Sequence, residues 1–188
     1  MDLQTRMQHW ASLIELVPAT VGAEINYKFW RSKKRLARNI TKGQIGCYES
    51  HVRVWQMIVD RNLPSALILE DDANIEYTQT TVDRLREVLH ELNTLVDWDV
   101  FYVGNIGLHP IREKITQHIN RPSGWEGLYT YLITQRGARR LLQAAFPISM
   151  AVDIFVGDQA AKGNIQILSM NPPLNFVVPV QSDTDVRI

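Results

Sequence analysis

Glu70, Asp71 and Asp72 follow directly on the apolar run Ala66-Leu67-Ile68-Leu69. If that run is an extended strand, successive side chains point to opposite faces, so Glu70 and Asp72 share a face while Asp71 points away. Two carboxylates on one face suit a hard divalent cation such as Mg²⁺ or Mn²⁺, which takes oxygen ligands. The competing reading is an acidic loop that caps the next segment and stays solvated. Repulsion among three adjacent acids makes a purely structural role less favourable.

A strand must carry the triplet and other elements must surround it. "SALIL" (residues 65–69) is a short continuous apolar run, read as a buried strand. Before it, "SHVRVWQMIVDRN" sets Val54, Trp55, Ile58 and Val59 on one helical face, with Ser50 as N-cap. After it, "TTVDRLREVLHELNTLV" places Val82, Leu85, Val88, Leu89, Leu92 and Leu95 at three- and four-residue steps, an amphipathic helix. "WDVFYVGN" reads as a second buried strand and "GLYTYLIT" as a third. A helix then runs from Gln135 to Ala145, with the small pair Gly137-Ala138 allowing close packing. "NIQILSM" is the last strand before Pro172-Pro173. Strands alternating with helices predict an α/β sandwich with a mainly parallel central sheet flanked by helices. In such a sheet, ligands bind beyond the carboxyl ends of the strands, where the triplet falls if "SALIL" is central.

The 188 residues fit one domain, and 45% hydrophobic with 21% charged content is that of a soluble globular protein. Lysine plus arginine and aspartate plus glutamate each total 20, so bulk charge marks neither nucleic acid nor membrane as partner. The charge is uneven: Lys28, Arg31, Lys33, Lys34, Arg35 and Arg38 form a basic run, while charges between residues 70 and 99 are mostly acidic. Cys47 is the single cysteine, which excludes an intrachain disulfide and a thiolate zinc cluster and fits a reducing compartment. It reads as a packing residue, since no base partner is evident for a nucleophile. No apolar run approaches the roughly 18 residues of a membrane span. The N-terminus "MDLQTRMQHW" lacks an apolar signal region, so a cytoplasmic location is expected.

The string "LILEDD" resembles the strand and acidic pair that open response-regulator receiver domains. Three features exclude that family: 69 residues precede Glu70, Asp99 begins its strand rather than ending it, and no Lys-Pro pair follows. A second resemblance covers nearly the whole chain. "TKGQIGCYESH" (Thr41 to His51), "ALILEDDANI" (Ala66 to Ile75), "WDVFYVGN" (Trp98 to Asn105), "GLYTYLITQRGARRLL" (Gly127 to Leu142) and "VDIFVGD" (Val152 to Asp158) resemble, in order and spacing, blocks of glycosyltransferase family 25. Each block is loose alone; five in order are specific. Near the end, "QSDTD" (Gln181 to Asp185) is similar to the family's closing Ser-Asp segment. The family includes bacterial lipooligosaccharide galactosyltransferases and collagen galactosyltransferases. Membership implies a GT-A-like nucleotide-sugar fold, a divalent cation and an inverting transfer, commonly of galactose from UDP-galactose to a glycan such as lipooligosaccharide.

The resemblance assigns roles residue by residue. Asp72 and Glu70 become metal ligands for Mn²⁺ or Mg²⁺, and Asp71 a ligand or a donor-sugar contact. Inverting transfer needs one base for the acceptor hydroxyl; Asp153 is the first choice and Asp158 the second, against helix capping as the bland role. Ser50 and His51 line the donor pocket, or act as a cap and a packed histidine. Gly43 and Gly46 allow a tight turn and close backbone approach. The family's usual glutamate after the first glycine is Gln44 here, which removes a charge and keeps hydrogen bonding. Ser182 and Asp183 close over the donor, supply another ligand, or form an ordinary polar tail.

The family opens on a buried strand, an Asn-Leu-Asp-like segment and an arginine that contact the nucleotide. Here Met1-Asp2-Leu3 and Arg6 match the tail of that block, and its strand is expected to be missing or truncated. An inactive, transferase-like protein that binds glycan or nucleotide is therefore the alternative expectation. The basic aromatic run "YKFWRSKKRLAR" suits diphosphate, an anionic glycan or single-stranded nucleic acid. A solvated loop is the reading preferred for it. Neutral net charge and the acidic cluster argue against nucleic acid.

Overall fold

The longest helix starts where the sequence offers a reciprocal cap. In the computed structural model, which describes residues 14–38, 40–73, 75, 78–104, 110–124 and 127–174, a 3-10 turn (Gly22–Glu24) and helix α1 (Tyr27–Ser32) lead to helix α2 (Lys42–Asp60). Thr41 Oγ1 accepts from the Gln44 amide at 3.1 Å, and Gln44 Oε1 accepts from the Thr41 amide at 3.0 Å. This capping box needs an amide or carboxylate at its fourth position, so Gln44 serves as a glutamate would. The helix thus begins well before Ser50, and two expectations are corrected. Ser50 is an interior residue, not an N-cap, and Gly43 and Gly46 lie in the helix, not in a turn. The basic run is also not a loop throughout: α1 occupies part of it, and Arg35 stacks between the rings of Trp30 and Phe146 while bonding both Glu49 oxygens at 3.2 Å.

Six strands follow: β1 (Ser65–Leu69), β2 (Val100–Gly104), β3 (Ile111–Lys114), β4 (Ile119–Pro122), β5 (Thr130–Thr134) and β6 (Ile167–Met170). Between them lie helices α3 (Gln79–Asn93), α4 (Gln135–Ala144) and α5 (Val152–Ala161). The sheet order is β1-β5-β2-β6-β4-β3. Only the β2–β6 pairing is parallel; β1–β5, β2–β5, β3–β4 and β4–β6 are antiparallel. The α/β sandwich is as expected, but the mainly parallel sheet is not. Between residues 100 and 134, β2, β3, β4 and β5 succeed one another with no helix among the described residues. Parallel neighbours need a long crossover, so β3 and β4, with only residues 115–118 between them, pair antiparallel. Likewise β1 lies at an edge of the sheet among the described residues, not at its centre.

Two apolar layers cover the sheet. Along β2 the side chains alternate: Val100 and Tyr102 join the cluster holding Ile45, Trp55, Ile133 and Phe155, while Phe101 and Val103 join Val88 and Leu92 of α3. Two close approaches fix the first layer. A Cβ at Gly46 would fall 2.6 Å from the Thr20 carbonyl oxygen, and one at Gly137 would fall 2.6 Å from that of Asp99. The small residues therefore admit neighbouring backbone, as expected for Gly46 and for the Gly137-Ala138 pair. Asp99 itself is fully buried, its carboxylate accepting from Arg136 Nε and Arg140 at 2.7 Å each and from the Gln166 amide at 2.9 Å. No described helix is long and apolar enough to cross a membrane.

Candidate functional site

β1 delivers the chain to Glu70, whose amide extends the ladder by donating to the Tyr129 carbonyl at 2.9 Å. The Ala73 amide then donates to the Glu70 carbonyl at 3.1 Å, which closes a turn with Asp71 and Asp72 at its centre. Strand alternation therefore ends at Leu69, and a turn distributes the carboxylates. Asp71 is exposed, while Glu70 and Asp72 are half-buried.

Helix α2 packs behind the turn and supplies its support. His51 Nε2 lies 2.9 Å from Glu70 Oε1, and His51 Nδ1 lies 2.8 Å from the Tyr131 hydroxyl. The Trp55 indole, which can only donate, bonds the same hydroxyl at 3.0 Å. Burial pushes the Tyr131 hydroxyl well above the ordinary phenol range, so it keeps its proton as a donor. Tyr131 thus accepts from Trp55 and donates to His51 Nδ1, which leaves the Nε2 proton directed at Glu70; this tautomer is assigned from the network. His51 is only 5% exposed and acts through Glu70.

Helix α5 brings the third carboxylate. Asp153 stands in its first turn, where the helix dipole favours negative charge. Its oxygens accept from the Ile154 amide at 2.8 Å and from the Gly127 amide at 3.2 Å. The carboxylates act on common neighbours. Burial, then Glu70, Asp153, Asp72 and Asp71, push the Cys47 thiol up to about 12. Burial, then Glu70, Asp72, Asp153 and Cys47, push Tyr129 up to about 12. Tyr102 is raised by burial first, then by Asp153 and Glu70, and its buried hydroxyl has no hydrogen-bond partner among the described residues. An ordered water or ion satisfies such an open buried donor.

Glu70, Asp72 and Asp153 thus act on the same neighbours, Cys47 and Tyr129, and His51 bonds Glu70, with Asp71 at the exposed margin. Asp158 is elsewhere on α5, bonded to Lys162 at 2.5 Å and Gln159 at 3.2 Å. The Ser50 hydroxyl joins α2 to the preceding segment, donating to the Gly46 carbonyl at 2.8 Å and accepting from the Thr20 amide at 2.9 Å. Gly46 likewise faces Thr20 and Gly22. Arg6, Ser182 and Asp183 lie outside the described residues. Tyr102, Tyr129 and Tyr131 went unread in sequence, although the last two flank Thr130 within "GLYTYLIT". Trp55 was read only as core; its position four residues after His51 was the available signal.

Glu70 and Asp72 supply oxygen donors, and the open Tyr102 hydroxyl lies within reach of Glu70's charge. That donor set fits a hard divalent cation with an anionic ligand. Away from the turn, an open hollow of about 500 Å³ is lined by Thr80, Asp83, Arg84, Glu87, His118 and Pro172. It contains none of the clustered carboxylates, so the chemistry of the turn is the better guide.

The sequence model for glycosyltransferase family 25 (LPS biosynthesis protein) matches residues 19–156. Procollagen galactosyltransferase 1 of Danio rerio is 38% identical over 114 residues, covering 57% of this chain and 18% of the relative. Procollagen galactosyltransferase 1-A of Xenopus laevis is 34% identical over 127 residues, covering 63% and 20% respectively. A third relative, the probable inactive glycosyltransferase 25 family member 3 of Bos taurus, is 29% identical over 109 residues, covering 56% and 18%. The matched region thus spans no more than 20% of each of these relatives. The family match includes Glu70, Asp72 and Asp153 but not Asp158.

Proposed function

Because the chain belongs to glycosyltransferase family 25, we propose that it is a metal-dependent inverting transferase, moving galactose from UDP-galactose to a glycan such as lipooligosaccharide. The reading includes a GT-A-like nucleotide-sugar site and a cytoplasmic location. The observation that carries it is that Glu70 and Asp72, from the turn after β1, and Asp153, from the start of α5, act on the same neighbours, Cys47 and Tyr129. Galactose as the sugar is supported by relatives named galactosyltransferases.

In this mechanism Asp153 takes the proton of the acceptor hydroxyl as that oxygen attacks the anomeric carbon. The bond from that carbon to the diphosphate breaks on the opposite side, and UDP leaves with the electron pair. Glu70 and Asp72 would hold Mn²⁺ or Mg²⁺, which when bound would neutralise charge on the leaving diphosphate. His51 directs its Nε2 proton at Glu70 Oε1, so that carboxylate keeps one orientation and offers its other oxygen. Asp71 contacts the donor sugar or the cation from the margin.

A second reading, a transferase-like binding protein without turnover, is favoured by relatives described as inactive, among them one from Homo sapiens at 30% identity. Donor hydrolysis separates the two. Incubation of the protein with UDP-galactose and Mn²⁺ is expected to release free galactose slowly, and chelation is expected to stop it. Metal-dependent UDP-galactose binding with no release would support the binding protein and sink the transferase.

A further inference from the structure

The cation proposed above is hard and takes oxygen, yet the tightest group of ligand atoms at this turn is mixed. Cys47 Sγ, a His51 ring nitrogen and a Glu70 carboxylate oxygen all lie within 4.8 Å of one another. Cys47 and His51 are four residues apart on α2 and so share a helix face. Glu70 meets that face from the end of β1. The geometry points to a second cation site, Cys47–His51–Glu70, selective for a borderline-soft divalent ion such as Zn²⁺ and overlapping the hard-cation site at Glu70.

Ligand chemistry makes the choice of ion. Thiolate, imidazole and carboxylate are the three ligand types that zinc accepts together, with a fourth position left for water. Mg²⁺ and Mn²⁺ prefer oxygen and gain little from sulfur. The ring is already oriented: its Nδ1 is 2.8 Å from the Tyr131 hydroxyl, which Trp55 bonds at 3.0 Å. Metal-bound histidines are commonly held through their other nitrogen in this way. Binding at Nε2 moves the ring proton to Nδ1, from which it points to the Tyr131 oxygen, and releases the thiol proton to water. Asp72, Asp153 and Asp71 add negative charge around the thiol, a field that favours a dication.

The site stands without the transferase reading; only its effect on activity rests on it. Zinc would take Glu70 away from Asp72 and so inhibit transfer. The test uses Co²⁺ as a spectroscopic stand-in, titrated into metal-free full-length protein. Because Cys47 is the single cysteine, any cobalt–thiolate absorption in the near ultraviolet reports on this site. Wild type is expected to develop that band, with Zn²⁺ abolishing it at micromolar concentration and Mn²⁺, which shares only Glu70 with this site, doing so only at much higher concentration. Cys47→Ser is expected to lose the band and to bind Zn²⁺ at least about tenfold more weakly. Asp72→Ala, which removes a nearby charge but no ligand, is expected to keep the band and to lose much less zinc affinity than Cys47→Ser, which separates this site from the hard-cation site. Absence of the band in folded wild type, or zinc affinity equal in wild type and Cys47→Ser, would overturn the assignment.

Discussion

With Asp153 as the proposed base, Asp153→Asn is expected to lower the turnover of galactosyl transfer by about 10²- to 10⁴-fold, the usual contribution of a positioned general base, and to retain UDP binding. The asparagine side chain has nearly the same shape. Its remaining oxygen can still accept from the Gly127 amide, which Asp153 does at 3.2 Å. What it cannot do is take a proton from an acceptor hydroxyl. Asp158→Asn is the matched control, because that carboxylate is bonded to Lys162 at 2.5 Å in a partly exposed i,i+4 pair. Such a pair contributes only about 0.3–0.5 kcal/mol to stability. Turnover measured at saturating donor and acceptor should therefore fall for the first variant and stay near wild type for the second. The reverse ranking would move the base to Asp158.

Asp99→Ala should produce the largest loss of stability, about 3 kcal/mol, which for a chain of this size lowers Tm by roughly 6–12 °C. Asp99 is fully buried and gathers the start of β2, helix α4 and the approach to β6. Removing the carboxylate leaves the Gln166 amide without its acceptor and two guanidiniums without their anion. Arg136 and Arg140 are 41% and 40% exposed, so water offsets part of that loss. This is why the figure sits at the low end for breaking a buried pair. Thermal unfolding followed by circular dichroism checks it. A shift no larger than that of Asp97→Ala, whose carboxylate is 72% exposed in its pair with Arg136, would show that the buried cluster is not the keystone described.

Elements with strong periodicity were legible, and elements without it were not. β1 was read at its observed boundaries because "SALIL" is apolar throughout, and α3 because its leucines and valines recur at helical steps. β3, "IREK", is exposed along its length, and β4, "INRP", carries charge and a proline. Neither reads as an apolar run in sequence, although β4 is largely buried in the sheet, and without them a mixed sheet reads as a parallel one. The start of α2 was misplaced because Gly43 and Gly46 read as turn residues, whereas Gly46 is small so that Thr20 can approach. At the site, the carboxylates were legible as residue types and their grouping was not. Glu70 and Asp72 were related by pleat and are in fact related by a turn. The Trp55–Tyr131–His51–Glu70 chain joins residues up to 80 positions apart, a contact that no local spacing encodes.

The central claim is that the turn after β1 holds the donor through a cation. Isothermal titration of UDP into wild type and Asp72→Ala, each with and without Mn²⁺, tests it most directly. Wild type is expected to bind UDP only with Mn²⁺ and Asp72→Ala not at all, with both proteins folded by circular dichroism. Binding of equal strength in the two proteins, or binding indifferent to Mn²⁺, would contradict it and place the nucleotide away from Glu70 and Asp72.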